Sequence, residues 1–234
     1  MNPLAVMSLA LGMRHGADPD HLAAIDGLAR IRPRATNGLY FALGHILVVM
    51  LLAIGIGHIL ATRFAFVGPW SLIVVGVANL WRLLRGEPAT PIKARPVIVQ
   101  PFLLGMLMAV GFETASQLSA LILAGQGNAW LLGLAFSFGV VLVDGLDGYF
   151  AASTQRLAAI GQARAKAASR ILGIIVVIFA FSLGGAELFG KESASIELPL
   201  GISLFITVLG IRIWARSKGP TTRENQIAGV GIGR

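Results

Sequence analysis

The chain has 234 residues, 56% of them hydrophobic and 13% charged, with a mean hydropathy of +0.78 and a formal net charge of +8. This composition excludes an ordinary soluble domain and reads as an all-α polytopic membrane protein. Cysteine is absent, which excludes disulfides, thiolate metal sites and cysteine catalysis and leaves imidazole, carboxylate, hydroxyl and carbonyl groups as the available ligands.

Crossing the hydrocarbon takes about 20 helical residues, and the first segment that qualifies covers residues 3–29. No Lys or Arg precedes Arg14, so this stretch lacks the basic region of a cleavable leader and is expected to stay in the membrane. It carries RHGADPDHLAAIDG, Arg14 to Gly27, in which His15, Asp20 and His21 form an H-x4-DH pattern. Ionisable side chains at membrane depth are costly unless they pair or bind an ion, so their density here marks a functional site. Pro19 has no N–H for the carbonyl of His15 and its ring crowds that carbonyl, which predicts a broken first helix near Pro19. An unwound turn would let His15, Asp20 and His21 converge and would free carbonyls as further ligands. Arg14 and Asp18 are spaced i, i+4 and suggest mutual neutralisation. Asp26, beside a basic end, reads as a surface or capping charge.

The second segment, 36–60, holds His45 and His58. Thirteen residues put these about 20 Å apart on roughly opposite faces, so at most one lines a central site. His45 alone would also read as an interhelical hydrogen-bonding group. The third segment is 66–85. The fourth, 97–124, contains GFETASQ (Gly111 to Gln117), with Glu113 and Thr114. The fifth, 129–152, contains VLVDGLDGYF (Val141 to Phe150). Asp144 and Asp147 share a face there and could serve one ion in succession, or bond across helices to Thr114 or Ser116. Segments 171–189 and 196–215 complete about seven spans in a single transmembrane domain, residues 1–215, followed by a short basic tail, 216–234.

The basic residues alternate between loops. One set holds Arg30, Arg32 and Arg34, then Arg82, Arg85, Lys93 and Arg95, then Arg156, Arg164, Lys166 and Arg170, then the tail; the other offers only Arg63 and Lys191. By the positive-inside rule the N-terminus lies outside and the C-terminus in the cytoplasm. The net charge is therefore a topology signal, not a nucleic-acid one. The loops, of which Gly86 to Pro96 and Ser153 to Arg170 are the longest, are too short for a soluble domain.

At a rise of about 1.5 Å per residue, His15, His21, His45, Glu113 and Asp144 all fall within roughly 8 Å of their segment midpoints. Four spans thus present polar groups at the level where transporters bind substrate. The candidate metal ligands are His15, Asp20, His21, His45, Glu113, Asp144 and Asp147, with Asp18 and Thr114 secondary. Imidazole and carboxylate without sulfur suit Ni²⁺ and Co²⁺, and Zn²⁺ or Cu²⁺ almost as well.

Four ordered blocks resemble the nickel/cobalt transporters. RHGADPDHLAAID is similar to their RHAxDADHI signature, LGHILVV (Leu43 to Val49) to an LGHS-type block, GFETASQ to LGFDTATE, and GVVLVDGLDG to GMxLxDTxD. The resemblance implies a permease of the cell (inner) membrane for Ni²⁺ or Co²⁺, with His15, Asp20 and His21 as essential ligands supported by His45, Glu113, Asp144 and Asp147. Pro19, Gly16, Glu113, Gln117 and Gly145 depart from the pattern, which has Ala, Ala, Asp, Glu and Thr there. The family usually has eight helices with the signature on the second; here it is on the first, as though a leading helix were missing.

The expected cargo is a divalent cation, the expected surroundings a lipid bilayer, and no bound cofactor, nucleic acid or enzymatic activity is expected. Gly185 to Lys191 is the nearest approach to a phosphate loop, but Glu192 replaces the needed Ser or Thr, so no ATPase motif is present. Membrane potential is worth about 4.6 kcal/mol per divalent ion at 100 mV, enough for roughly thousandfold accumulation. Because the ligands bind deprotonated, uptake is expected to fail as pH falls through the histidine range. The alternatives are an exporter of the same superfamily, an intramembrane metalloenzyme, and a metal sensor; HExxH and repeated histidine boxes are both absent.

Overall fold

A computed structural model describes residues 2–53, 64, 66–86, 99–111, 125, 127–190 and 194–217. Among these it contains eight α-helices and no strand: α1 (Pro3–Gly16), α2 (Pro19–Ile31), α3 (Asn37–Ala53), α4 (Val67–Arg85), α5 (Val99–Gly111), α6 (Ala129–Ala159), α7 (Ala163–Leu188) and α8 (Ala194–Arg216). Four stretches are long and apolar enough to cross a membrane, Val67–Arg85, Ala129–Ala159, Ala163–Leu188 and Pro199–Arg216, and the apolar stretches Asn37–Leu51 and Gln100–Val110 are shorter. The protein is an integral membrane helix bundle.

The helix ends follow local chemistry. Asn2 accepts the Leu4 N–H at 3.0 Å and Pro3 opens α1, while Asn128 accepts the Leu131 N–H at 3.1 Å at the start of α6. The expected break in the first segment falls at Ala17 and Asp18, with Pro19 as the first residue of α2. Proline is tolerated there because its missing N–H is one of the groups a helix leaves unsatisfied at its start. The Ala17 N–H donates to the Arg14 carbonyl and the Asp18 N–H to the His15 carbonyl at 2.9 Å. The carbonyls expected as extra ligands are therefore engaged by backbone, and the break contributes geometry.

One sequence expectation is corrected. The basic stretch Ser153 to Arg170 is not a loop: α6 runs to Ala159, α7 starts at Ala163, and only three residues, with Gly161 at φ 97°, separate them. Alanine-rich AASTQRLAA and ARAKAASR favour helix. At 31 residues α6 is about 46 Å long, so it projects beyond a hydrocarbon core of about 30 Å.

Contacts along the helices give their relative directions. Ser8 lies at Leu132, Gly12 at Phe136 and Gly16 at Val140 and Asp144, and after the break His21 lies at Asp144 and Arg156 bonds the Pro33 carbonyl. The pair α1–α2 is thus one discontinuous rod running parallel to α6. Gly38 meets Asp144 and Gly148, and Gly133 meets Met50, so α3 runs antiparallel to α6. In the same way α2 opposes α7 through Gly27 at Val176 and Arg30 at Gly173, and α4 opposes α7 through Gly76 at Ala180 and Ile73 at Gly184. Glycines bring the rods together. A Cβ on Gly12, Gly38, Gly44 or Gly105 would collide with backbone of the facing helix, the close approach that small residues permit in membranes. Two of these contacts, Gly44 at Phe102 and Gly105 at Phe41 and His45, lie next to His45 itself.

Candidate metal centre

Three imidazoles from three helices meet at one point. His15 ends α1, His21 opens α2 and His45 sits mid-way along α3; all three are fully buried, and one ring nitrogen of each lies within 4.8 Å of the other two. Their ring centroids are 4.5 to 4.9 Å apart. Phe136, 5.5 Å from His15, and Phe41, 5.1 Å from His21, wall the cluster with apolar surface.

Carboxylates behind the rings fix their tautomers. His21 Nδ1 donates to Asp144 at 3.1 and 3.2 Å, and His15 Nδ1 donates to Asp18 at 3.1 Å. A proton held on Nδ1 leaves the Nε2 lone pair facing inward, the arrangement in which a metal-binding histidine is oriented by an outer carboxylate. The Nε2 atoms of His15 and His45 are 2.9 Å apart. Two nitrogens at about 2.1 Å from a shared ion, at right angles to one another, would lie about 3.0 Å apart. Among the described residues His21 Nε2 is buried with no hydrogen-bond partner, an arrangement proteins avoid unless a further group completes it. Gly16 makes room for Asp144, since a Cβ there would lie 3.1 Å from its Oδ1.

Other sequence candidates are placed differently. Asp20 is buried with Oδ2 unpartnered, but lies outside the three-imidazole set. Asp147, expected to share an ion with Asp144, instead accepts from Arg212 Nη1. Asp26, expected at the surface, is 2% exposed and accepts from Arg212 Nη2 at 2.8 Å. Asp18, expected to neutralise Arg14, does lie within electrostatic reach of it and also bonds His15, because the break leaves it beside the last turn of α1. Arg212, 1% exposed on α8, lies inside the segment 196–215 and is not among the residues the sequence reading singles out. Its signal was available: a lone cation inside an apolar segment demands buried counter-charges. Glu113, Thr114 and His58 lie outside the described residues.

A helical bundle whose core encloses three imidazoles and their carboxylates defines an integral membrane protein with a candidate cation site between its helices. Comparison with known proteins narrows the class: the family described as NicO, high-affinity nickel-transport protein, matches residues 2–65. The hydrogenase nickel incorporation protein HupN of Bradyrhizobium diazoefficiens is 28% identical over 264 aligned positions, covering 88% of this chain and 68% of that protein. The nickel transporter NixA of Staphylococcus aureus is 28% identical over 201 positions, covering 62% of this chain and 60% of its own. A high-affinity nickel transport protein of Cupriavidus necator is 46% identical over 55 residues, 21% of this chain and 16% of its own length. The chain spans about two thirds or less of the length of these relatives. No solved structure matches. Residues 2–65, which hold the first two of the four sequence blocks, are thus similar to the NicO nickel-transport family, in line with the resemblance drawn from the sequence.

Proposed function

We propose that the protein is a permease that carries Ni²⁺, and by the same ligand chemistry Co²⁺, across the cell (inner) membrane. His15, His21 and His45 supply imidazole nitrogen to the cargo, with Asp144 and Asp18 orienting the rings and Asp20 beside them. The observation that carries this reading is the convergence of three buried imidazoles, two with Nε2 atoms 2.9 Å apart and the third with an unpartnered Nε2. Three neutral nitrogens and nearby carboxylates replace the water shell of a divalent cation where the bilayer supplies none.

Seven spans with the N-terminus outside and the C-terminus in the cytoplasm agree with the helix directions. The α1–α2 rod and α6 run together, while α3 runs opposite to α6 and α7 opposite to α2 and α4. Membrane potential then drives import. Reconstitution into vesicles tests the proposal. Entry of Ni²⁺ that rises with an inside-negative potential supports it; stoichiometric binding without entry, or turnover of a lipid or peptide, overturns it.

A further inference from the structure

The two helices that carry His21 and Asp144 carry a second polar layer one turn further toward the basic end of the bundle. Asp26 follows His21 by five residues on α2, and Asp147 follows Asp144 by three on α6. The Arg212 guanidinium of α8 lies between them. Its Nη2 donates to Asp26 Oδ1 at 2.8 Å, and its Nη1 donates to Asp147 Oδ1 and, at 3.4 Å, to the Asp147 carbonyl. One cation thus ties together α2, α6 and α8 directly beyond the imidazole cluster.

This layer is poorly built as a stabilising element. Among the described residues, Asp26 Oδ2, Asp147 Oδ2 and Arg212 Nε are all buried without a hydrogen-bond partner. A buried ionic network left half-satisfied holds a fold less well than an apolar layer would. Two carboxylates converge on the one guanidinium, with Arg30 acting electrostatically on Asp26 from one turn further along α2. Beside Asp26 a small apolar cavity, lined by Leu22, Ala23, Leu172, Val176, Leu204 and Val208, lies where α2, α7 and α8 meet.

We propose that the Asp26–Arg212–Asp147 bridge is the latch that closes the path between the imidazole cluster and the basic end of the bundle, and that cargo leaves when Arg212 withdraws on α8. This rests on the transport reading above. Arg212 acts as a tethered stand-in cation: while it occupies the carboxylates the path is sealed. A passing divalent ion satisfies both acids while the long arginine stem lets the guanidinium move toward the basic end.

The test uses the absence of native cysteine. Ala23 is 3% exposed, lies between His21 and Asp26 on α2 and lines the cavity, so Ala23→Cys reports opening of the latch. The protein in nanodiscs is labelled with a water-soluble cationic methanethiosulfonate, without metal. With the latch intact, labelling is slow. The triple variant Asp26→Asn, Arg212→Gln, Asp147→Asn removes the ion pairs without leaving a bare charge, and should label about tenfold faster or more, as a local opening equilibrium shifts. Equal rates in a variant with native helical content and a monodisperse elution profile would overturn the latch. If the triple variant does not fold, Arg212→Lys decides: one ammonium lacks the planar fork that reaches both acids, so faster labelling is expected, and an unchanged rate refutes the proposal. Because no metal is present, failure here leaves the vesicle assay standing, and failure of metal flux leaves the labelling result intact.

Discussion

His15 and His45, thirty residues apart in the chain, face one another through Nε2 atoms 2.9 Å apart. Removing either ring takes away one nitrogen of the proposed metal site. His15→Ala and His45→Ala should each weaken Ni²⁺ binding by about 100-fold or more, because even outer partners of metal ligands cost 10- to 100-fold. Isothermal titration of the purified protein checks this, and unchanged affinity in either variant removes that ring from the site.

Asp144 holds His21 through Nδ1 with both carboxylate oxygens. Asp144→Asn keeps one acceptor but loses the charge, and should lower affinity about tenfold; Asp144→Ala, which frees the ring, should lower it by up to about 100-fold. The ordering of the two variants is the diagnostic result.

Gly38 fixes how closely α3 approaches α6. A methyl there would strike the Asp144 carbonyl and the Gly148 amide, whereas one on Gly145 meets nothing within 4 Å. Gly38→Ala should destabilise the bundle by about 1 to 3 kcal/mol and weaken metal binding, since α3 carries His45. Gly145→Ala should be neutral or stabilising by up to about 1 kcal/mol, because alanine is the better helix former. Thermal unfolding of the two variants in one detergent compares them directly.

Three imidazoles rank divalent metals by affinity. In equilibrium competition Zn²⁺ should displace Ni²⁺ at comparable concentrations and Co²⁺ only in excess, while Mn²⁺ at about tenfold excess should leave it bound, as expected for nitrogen ligands along the first transition series. Displacement by Mn²⁺ would point to an oxygen-dominated site instead.

Much of this architecture is written in the chain. Pro19 announces the break in the first segment, and the depths of His15, His21, His45 and Asp144 on their segments are enough to bring them together, because helix rise and bilayer thickness leave little freedom along the normal. Rotation about each helix axis is what the sequence does not display. Asp144 and Asp147 share a face in projection, yet one meets an imidazole and the other a guanidinium because α8 inserts beside only the second. Asp26 looked superficial because its neighbours are basic, and its burial depends on Arg212, 186 residues away. The Ser153 to Arg170 stretch was read as a loop because charge was taken to end the helices, but charge ends a span and alanine carries the helix on.

The interruption at Ala17 and Asp18 has a mechanical consequence. Beyond it, α2 is gripped by α6, α7, α4 and α8, whereas α1 among the described residues is seated chiefly on α6. The discontinuous rod therefore joins a half held by several helices to a half held chiefly by one, with His15 two residues before the joint. A small shift of α1 along α6 would therefore reach His15 without displacing His21, whose helix is held elsewhere.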